Sequence, residues 1–280
     1  MVTYMNNFTS GQEANFNYRI HTGHVLLNEK LTSNIVRIRI ANSEIAQSSH
    51  PGQFVNVKTS GNLVPLLRRP FSIHRLDEKS GWFELLYQVI GSGTELLAKF
   101  DKGDIINFLG PLGNTFSIPD QCDRAILIAG GLGIAPLIFL GQILSSQNMP
   151  ATLFWGNQSK ENICCLSDIE QLGINYFLST DDGSAGFKGF VTELVLEKKK
   201  QMLSGRPHIF ACGPNIMLNK IKEISAQLEI PCQFSLETIM ACGFGVCLGC
   251  NVKSADPQKT YQYVCKDGPV FQSNEINLSE

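Results

Sequence analysis

Four cysteines in the C-terminal part constrain this chain more than any other feature. Cys242, Cys247, Cys250 and Cys265 follow the spacing C-x4-C-x2-C, with the last cysteine after fourteen further residues. Four thiolates in this order can hold a plant-type 2Fe–2S cluster. Glycines at 243, 245 and 249 fit the same chemistry, because a loop around a cluster must turn sharply and direct backbone N–H groups at sulfur. The spacing therefore predicts a centre that carries single electrons.

A structural zinc site is the alternative for these thiols. Zinc sites usually combine two C-x2-C pairs, and this chain has one, formed by Cys247 and Cys250. Disulfides fit less well, because the cysteine count of nine is odd and the polar first ten residues do not resemble a secretory signal. We therefore expect a cytoplasmic protein, and we expect most of the other cysteines to be small buried side chains: Cys122, Cys164, Cys165, Cys212 and Cys232.

The composition indicates a chain that can bury a sizeable core. It has 280 residues, 43% hydrophobic and 17% charged, and its length favours two or three domains. The net charge of −2 gives no electrostatic case for binding nucleic acid. The uncharged stretch 125–144 is long enough to cross a bilayer, but its glycines and Pro136 favour a buried strand, a turn and a helix.

Alternating apolar and polar residues characterise the first part of the chain. The runs 34–40, 53–57 and 82–89 have the period of half-buried strands, and clusters of turn residues separate them. This pattern predicts a small antiparallel barrel.

The pattern changes after Gly113. Strand-like runs then alternate with helical ones, which predicts a parallel sheet covered by helices. The predicted strands are 124–129, 151–155, 175–179 and 208–211, and the predicted helices are 137–144, 162–171, 192–199 and 215–228. A third change comes near Pro231, where the cysteine-rich tail begins.

Two short motifs in the barrel part suit a flavin nucleotide. The tetrapeptide Arg69-Pro70-Phe71-Ser72 offers a cation for a phosphate and a hydroxyl for the flavin ring. Gly91-Ser92-Gly93-Thr94 opens a helix predicted over 95–100, where free N–H groups can face a phosphate. Taken alone, the tetrapeptide also fits a surface turn.

A glycine-rich turn in the α/β part is typical of a dinucleotide site. Gly130, Gly131 and Gly133 follow a buried strand and open a helix. Proline replaces the last glycine of G-x-G-x-x-G and no acidic residue ends the next strand, so a tight turn without a ligand is the alternative. A second turn, Cys212-Gly213-Pro214, is expected at the same edge of the sheet. Residues 156–159 contain no arginine or lysine, which favours NAD over NADP.

These motifs, in this order, resemble the ferredoxin-reductase family of flavoproteins. The tail segments 236–250 and 264–271 are similar to those of the electron-transfer subunits of bacterial NAD-dependent dihydroorotate dehydrogenases. The resemblance implies a multi-domain chain, and it begins near residue 17, so residues 1–16 form an N-terminal extension without an assigned role. The implied domains are an antiparallel β-barrel FAD domain (17–115), an α/β parallel-sheet NAD domain (116–230) and a small 2Fe–2S cluster domain (231–280).

The same resemblance implies the sites. FAD would contact Arg69, Pro70, Phe71 and Ser72, then Leu86, Tyr87 and Gln88, then Gly93 and Thr94; Gln88 stands where an arginine is expected. NAD would bind at Gly130, Gly131, Gly133, Cys212 and Gly213, and the cluster would bind the four cysteines named first. No residue is expected to be catalytic, because the cofactors carry the chemistry.

The resemblance also implies a partner, an FMN-containing dihydroorotate dehydrogenase catalytic subunit in a heterotetramer of two plus two chains. Electrons from that FMN would pass through the 2Fe–2S cluster and FAD to NAD+, in de novo pyrimidine (UMP) biosynthesis. One alternative is a reductase subunit of another complex, of the hydrogenase, sulfide or transhydrogenase type. The other is a non-enzymatic zinc-binding protein, which would be colourless.

Overall fold

The computed structural model describes residues 19–61 and 63–278. The predicted N-terminal extension lies outside these residues. The described residues form a closed barrel, a seven-stranded sheet and a three-stranded sheet. Within them, no helix combines the length and the apolar character needed to cross a membrane.

The first unit is a closed antiparallel barrel, as the alternating pattern predicts. Ile38 and Ile40 face its interior together with Phe83 and Phe108, because side chains on a strand alternate between two faces. Its strands are β1 (Ile20–Lys30), β2 (Ile35–Ala41), β3 (Phe54–Lys58), β4 (Arg69–Asp77), β5 (Trp82–Gln88) and β6 (Ile105–Leu112), with helices α1 (Ser43–Ser48) and α2 (Ser92–Leu97). They close in the order β1-β2-β5-β4-β3-β6.

The second unit alternates strands and helices. Its elements are β7 (Arg124–Gly130), α3 (Ile134–Ser146), β8 (Ala151–Asn157), α4 (Leu166–Gln171), β9 (Asn175–Thr180), β10 (Phe187–Lys188), α5 (Val191–Glu197), α6 (Lys199–Met202), β11 (Pro207–Cys212) and α7 (Asn215–Leu228). The parallel strands lie in the order β10-β9-β8-β7-β11, so the winding reverses between β7 and β11. In such sheets, ligands bind outside the carboxyl ends of the strands at this reversal.

The C-terminal part contributes strands to both remaining sheets. Its strands are β12 (Cys232–Ser235), β13 (Asn251–Ser254), β14 (Tyr261–Tyr263), β15 (Val270–Gln272) and β16 (Ile276–Asn277). β12 pairs in parallel with β11, and β15 pairs antiparallel with β12, so these two extend the large sheet. The other three form a small sheet in the order β14-β13-β16. The domain boundaries stay predictions, and the tail is joined to the large sheet by two of its strands.

Four of the five predicted helices begin at a residue other than the predicted one, and a local feature explains two of these shifts. The helix expected over 95–100 is α2, which begins at Ser92 because Thr94 Oγ1 accepts hydrogen bonds from the N–H groups of Ile90 and Gly91, at 3.0 and 3.2 Å. The helix expected over 162–171 begins at Leu166, because Cys165 adopts a left-handed conformation with φ of 49° and interrupts it. The other predicted strands and helices agree with the structure within three residues at each end.

Candidate functional site

The four predicted cluster ligands lie in one region of the structure, although strands β13 and β14 stand between the third and the fourth ligand along the chain. Cys242, Cys247 and Cys250 lie in an irregular segment between β12 and β13, and Cys265 follows β14. Cys250 and Cys265 are buried, with their Sγ atoms 3.2 Å apart. Cys242 is partly buried and Cys247 is exposed. The four ligands therefore present one thiol to the surface, one at an intermediate depth and two to the interior.

Backbone N–H groups point at three of these sulfur atoms. Gly245 donates to Cys265 Sγ at 3.1 Å, and Cys247 and Cys265 donate to the Sγ atoms of Cys242 and Cys250 at 3.4 Å. Burial alone would raise the pKa of the Cys242 thiol, but backbone N–H groups, first that of Cys247, outweigh it and lower this pKa to about 6. Burial and the neighbouring Cys250 thiol raise the pKa of Cys265 to about 12. A metal must therefore displace a proton at Cys265, whereas Cys242 ionises near neutral pH.

The sulfur atoms form two pairs rather than one tetrahedron. Cys250 and Cys265 form one pair, and Cys242 Sγ accepts hydrogen bonds from both the backbone N–H and the thiol of Cys247. No three of the four sulfur atoms, all in the described part of the chain, lie within 4.8 Å of one another. Ligands of one zinc ion would all lie within about 4 Å, because Zn–S bonds are about 2.3 Å long and tetrahedral. The donor set therefore fits a 2Fe–2S cluster, which has two irons, better than zinc.

The two predicted flavin motifs meet at one end of the barrel. Arg69 begins β4 and Gly93 lies in α2; a Cβ on Gly93 would be 2.9 Å from Arg69 Nε. The guanidinium also donates to the Leu67 carbonyl oxygen at 2.8 Å. Pro70, Phe71 and Ser72 are half-buried along the same strand. Thr94 uses its hydroxyl within the turn, where it donates to the Gly91 carbonyl oxygen at 2.9 Å. The structure therefore brings a half-buried cation and a glycine turn together.

The third predicted flavin segment lies on β5, and its side chains divide between two environments. Leu86 and Tyr87 are buried in hydrophobic cores on opposite faces of the strand. The Tyr87 hydroxyl donates to Asn28 Oδ1 at 3.3 Å, and burial raises the pKa of Tyr87. Gln88 is half-buried at the end of the strand. For these residues, backbone groups and the Gln88 side chain are the parts that a ligand can reach.

The predicted dinucleotide turns touch each other at the reversal between β7 and β11. A Cβ on Gly133 would overlap the carbonyl oxygen of Cys212, so only glycine permits this approach. The Trp155 indole N–H donates to the Gly131 carbonyl oxygen at 2.9 Å and holds the first turn. Cys212 is fully buried, and burial raises the pKa of its thiol far above the usual range. The two turns form one edge at which a dinucleotide can bind.

Sequence reasoning missed a buried cluster of charges between the barrel and α4. Asp168 accepts from Arg37 Nη1 at 3.0 Å, from His74 Nε2 at 3.2 Å, and from Arg75. Cys165 Sγ is also nearby, but both Asp168 oxygens are engaged by guanidinium groups, so the arrangement is an ion-pair cluster rather than a cation site. No sequence signal marks it, because charges at alternate positions of a strand resemble a solvated face.

Comparison with known proteins identifies the same two cofactor units. Residues 237–277 match the iron-sulfur cluster binding domain of dihydroorotate dehydrogenase B, and residues 127–223 match the oxidoreductase NAD-binding domain. The dihydroorotate dehydrogenase B (NAD(+)) electron transfer subunit of Desulforamulus reducens is 40% identical over 234 residues, which are 83% of this chain and 88% of that protein. Its counterpart in Geobacillus sp. is 35% identical, over 91% of this chain and 97% of its own.

Solved structures share the fold. A chain of the NADH-dependent reduced ferredoxin-NADP oxidoreductase, studied for flavin-based electron bifurcation, has a TM-score of 0.81 at 25% identity and covers 91% of this chain and 90% of its own. The ferredoxin reductase in carbazole 1,9a-dioxygenase has a TM-score of 0.65 at 18% identity, covering 78% and 69%. The solved structures show the fold, and the sequence relatives show that the chain belongs to the family of dihydroorotate dehydrogenase B (NAD(+)) electron transfer subunits.

Proposed function

We propose that this chain passes electrons from the FMN of a dihydroorotate dehydrogenase catalytic subunit, through a 2Fe–2S cluster and FAD, to NAD+ in de novo UMP biosynthesis. When bound, the cluster carries single electrons and FAD converts between one- and two-electron steps. The observation that carries the proposal is the paired arrangement of four thiols against the barrel that bears the flavin motifs. The relatives named as electron transfer subunits of this enzyme support it.

Specific residues of the chain would hold each group. Cys250 with Cys265, and Cys242 with Cys247, would each ligate one iron. Arg69 and the Gly93 turn would bind the phosphates of FAD, while Ser72 would orient the flavin ring. Gly130, Gly131, Gly133 and Gly213 would hold the dinucleotide with their backbone N–H groups. Cys212, whose thiol is fully buried, would contribute its backbone to the second turn of this site.

Two segments with exposed apolar side chains lie on either side of the contact between Asn56 and Cys242. Ile239 and Val246, on either side of Cys242, are 91% and 71% exposed. In the segment before the flavin strand, Leu63, Val64 and Leu66 are 74–81% exposed. Arg68 bonds to Asn56, and Asn56 bonds to Cys242, so these apolar segments flank one junction. Exposed apolar side chains in such a group are typical of protein interfaces, which supports docking of the catalytic subunit here.

The assembly and its location are parts of the same proposal. Two of these chains would combine with two catalytic chains. The nine cysteines are all free thiols, which supports a cytoplasmic location.

The test is co-purification with the catalytic subunit from the same cells, followed by an assay of dihydroorotate-dependent NAD+ reduction. We expect reduction by the complex and none by either subunit alone. Ile105 is an exposed apolar residue at the start of β6. Its replacement, Ile105→Lys, is a control for a surface charge and should retain the activity of the complex. A complex that binds FAD and cluster but does not reduce NAD+ with dihydroorotate would refute the proposal.

The second candidate is a subunit of the transhydrogenase type. It is favoured by the likeness to the NADH-dependent reduced ferredoxin-NADP oxidoreductase over 91% of this chain. The same co-purification distinguishes the two, because this candidate predicts electron exchange among NADH, ferredoxin and NADP+ and no response to dihydroorotate.

A further inference from the structure

A single buried amide lies in the contact between the barrel and the cluster segment. Phe54, on the outer face of β3, belongs to the same hydrophobic core as Met240 and Cys250 of the tail. Asn56 lies two residues further on the same face, since Val55 and Val57 fill the barrel interior. Its side chain is 0% exposed. The tail therefore covers an outward-facing polar residue completely.

Asn56 bonds directly to the backbone of the first cluster ligand. Its Nδ2 donates to the carbonyl oxygen of Cys242 at 3.0 Å. The next residue is Gly243, with φ of 79°, and a Cβ there would lie 2.5 Å from Asn56 Nδ2. A side chain at position 243 would therefore push the cluster segment away from Asn56. Glycine at this position allows the backbone to contact the Asn56 amide.

Asn56 also contacts the flavin strand. It pairs with Pro70 of β4 across the β3–β4 ladder. Its carbonyl oxygen accepts from Arg68 Nη1 at 3.3 Å, and Arg68 immediately precedes the flavin tetrapeptide. One residue therefore joins the strand predicted to bind FAD to the loop predicted to bind the cluster.

Barrel stability does not explain an asparagine at this position. Asn56 Oδ1 has no hydrogen-bond partner among the described residues, although it is buried. A buried amide with one unpaired group is less favourable than an apolar side chain of similar size. The bond to Cys242 is the interaction that leucine could not replace.

A second asparagine holds the other end of the ligand segment. Asn114 follows β6, and its Nδ2 donates to the carbonyl oxygens of Asp267 and Val270 at 3.0 and 2.7 Å. Its Oδ1 accepts from the Val270 N–H at 2.8 Å. Asp267 and Val270 lie two and five residues after Cys265. One asparagine amide thus bonds to the first ligand, and another bonds to the segment that follows the last ligand.

We propose that Asn56 and Asn114 are positioning residues that fix the four thiols relative to the flavin strand and thereby set the rate of electron exchange between the two cofactors. The proposal rests on the proposed function. It assigns to the barrel a role besides FAD binding, that of a template on which the cluster loop is held.

The test compares Asn56→Leu and Asn114→Leu with Asn42→Ala in the full-length protein. Asn42 is a barrel asparagine that caps α1, accepting from the Ile45 N–H at 2.9 Å, so its loss lowers barrel stability without removing a bond to the tail. We expect amide hydrogen exchange of residues 242–247 to become about fivefold faster in Asn56→Leu, the effect of one lost hydrogen bond. Asn114→Leu should act on residues 266–270. In both, the EPR spectrum of the NADH-reduced protein should change and its signal should develop more slowly after mixing, whereas Asn42→Ala should change only thermal stability.

Asn56→Asp provides a variant of the same shape if the leucine variants fail to fold. It removes the donated N–H and places a carboxylate against the Cys242 carbonyl oxygen, so we expect the same faster exchange in residues 242–247 and a lower reduction potential of the EPR-active centre. Exchange, EPR spectrum and reduction rate equal to those of Asn42→Ala would overturn the inference. An unmodified protein that binds iron but develops no EPR signal with NADH would instead overturn the proposed function.

Discussion

At the scale of single residues, Cys247 is the exposed member of the four predicted ligands. Replacing it with serine should prevent a stable 2Fe–2S cluster, because a hydroxyl binds such iron far less well than a thiolate. We expect Cys247→Ser to retain FAD but lose most of its iron and its EPR signal. Cys232→Ser is the control, since that thiol is buried in β12 outside the ligand set. A Cys247→Ser protein with full iron content would contradict the assignment.

The contact between Gly133 and Cys212 leads to a second residue-scale prediction. Gly133→Ala should push the two nucleotide turns apart, because its Cβ would overlap the Cys212 carbonyl oxygen. We expect flavin reduction by NADH to slow at least tenfold, an effect typical of a small misplacement at a reacting site, while FAD stays bound. Stopped-flow absorbance measures this. Gly61→Ala, with open space around its Cβ position, should behave like the unmodified protein, and an unchanged rate in Gly133→Ala would count against the site.

Residue types at fixed spacing made these sites predictable from the sequence. The cysteines and the glycine turns carry their chemistry within short segments, so local reading was sufficient to propose them. Asn56 and Asp168 are different. Asn56 bonds to a residue 186 positions away, and Asp168 bonds to an arginine 131 positions away. Nothing local distinguishes either side chain from an ordinary surface residue, and only the folded chain supplies their partners.

At the scale of elements, the buried carboxylate of Asp168 joins helix α4 to two arginines of the barrel. We expect Asp168→Asn to lower the free energy of unfolding by about 3 kcal/mol, because it removes the buried carboxylate that pairs with both Arg37 and Arg75, whose remaining partners Glu29 and Glu84 compensate only part of their charge. Asp123, whose side chain is 44% exposed beside Arg206, provides the control; Asp123→Asn should leave the free energy of unfolding almost unchanged, because solvent screens this pair. Urea denaturation of both variants measures the difference. Equal midpoints would show that the Asp168 cluster does not stabilise the fold.

The pH dependence of this difference follows from the pKa of Asp168. Burial alone would raise it, but the hydrogen bond from His74 and the charges of Arg75 and Arg37 outweigh burial and lower the pKa below its usual 3.8. Such a group stabilises the fold above its unfolded pKa and loses this contribution as the pH falls through the lowered folded value. The difference in the free energy of unfolding between the unmodified protein and Asp168→Asn should therefore persist from neutral pH down to pH 3.8 and disappear below it.

Periodicity predicted seven of the sixteen strands in the described part of the chain and the long helices, but not where α4 begins. The run 162–171 has a helical pattern, yet Cys165 adopts a left-handed conformation and the helix starts one residue later. This conformation accompanies the placement of Asp168 against the barrel. Tertiary contacts of this kind override local pattern, and the sequence contains no turn residue that would announce the break.

At the scale of the whole molecule, the exposed apolar residues beside the cluster segment predict how the partner binds. Ile239→Lys and Leu66→Lys should each weaken association with the catalytic subunit at least tenfold, because each places a charge in the apolar centre of an interface. NADH-dependent reduction of an artificial acceptor should stay unchanged. Analytical ultracentrifugation measures the association. Ile105→Lys is the control, because Ile105 is also an exposed apolar residue but lies at the start of β6, outside the two apolar segments. Equal weakening of the association by all three variants would indicate a non-specific effect of charge.

The three units and their order along the chain were predictable, because composition and period change between them. The sequence did not predict that the C-terminal tail adds two strands to the large sheet. Strands β12 and β15 of the tail are short, four and three residues, and they carry no pattern that assigns them to the large sheet rather than to a separate domain.

This integration has a consequence for the history and the engineering of the protein. A gene shortened at residue 230 would not encode a smaller, cluster-free reductase. It would remove β12 and β15, leave β11 paired on one side only, and expose the core residues that now pack against Phe234, conditions that favour aggregation. The nucleotide-binding half and the iron-binding tail must therefore be inherited, expressed and redesigned together.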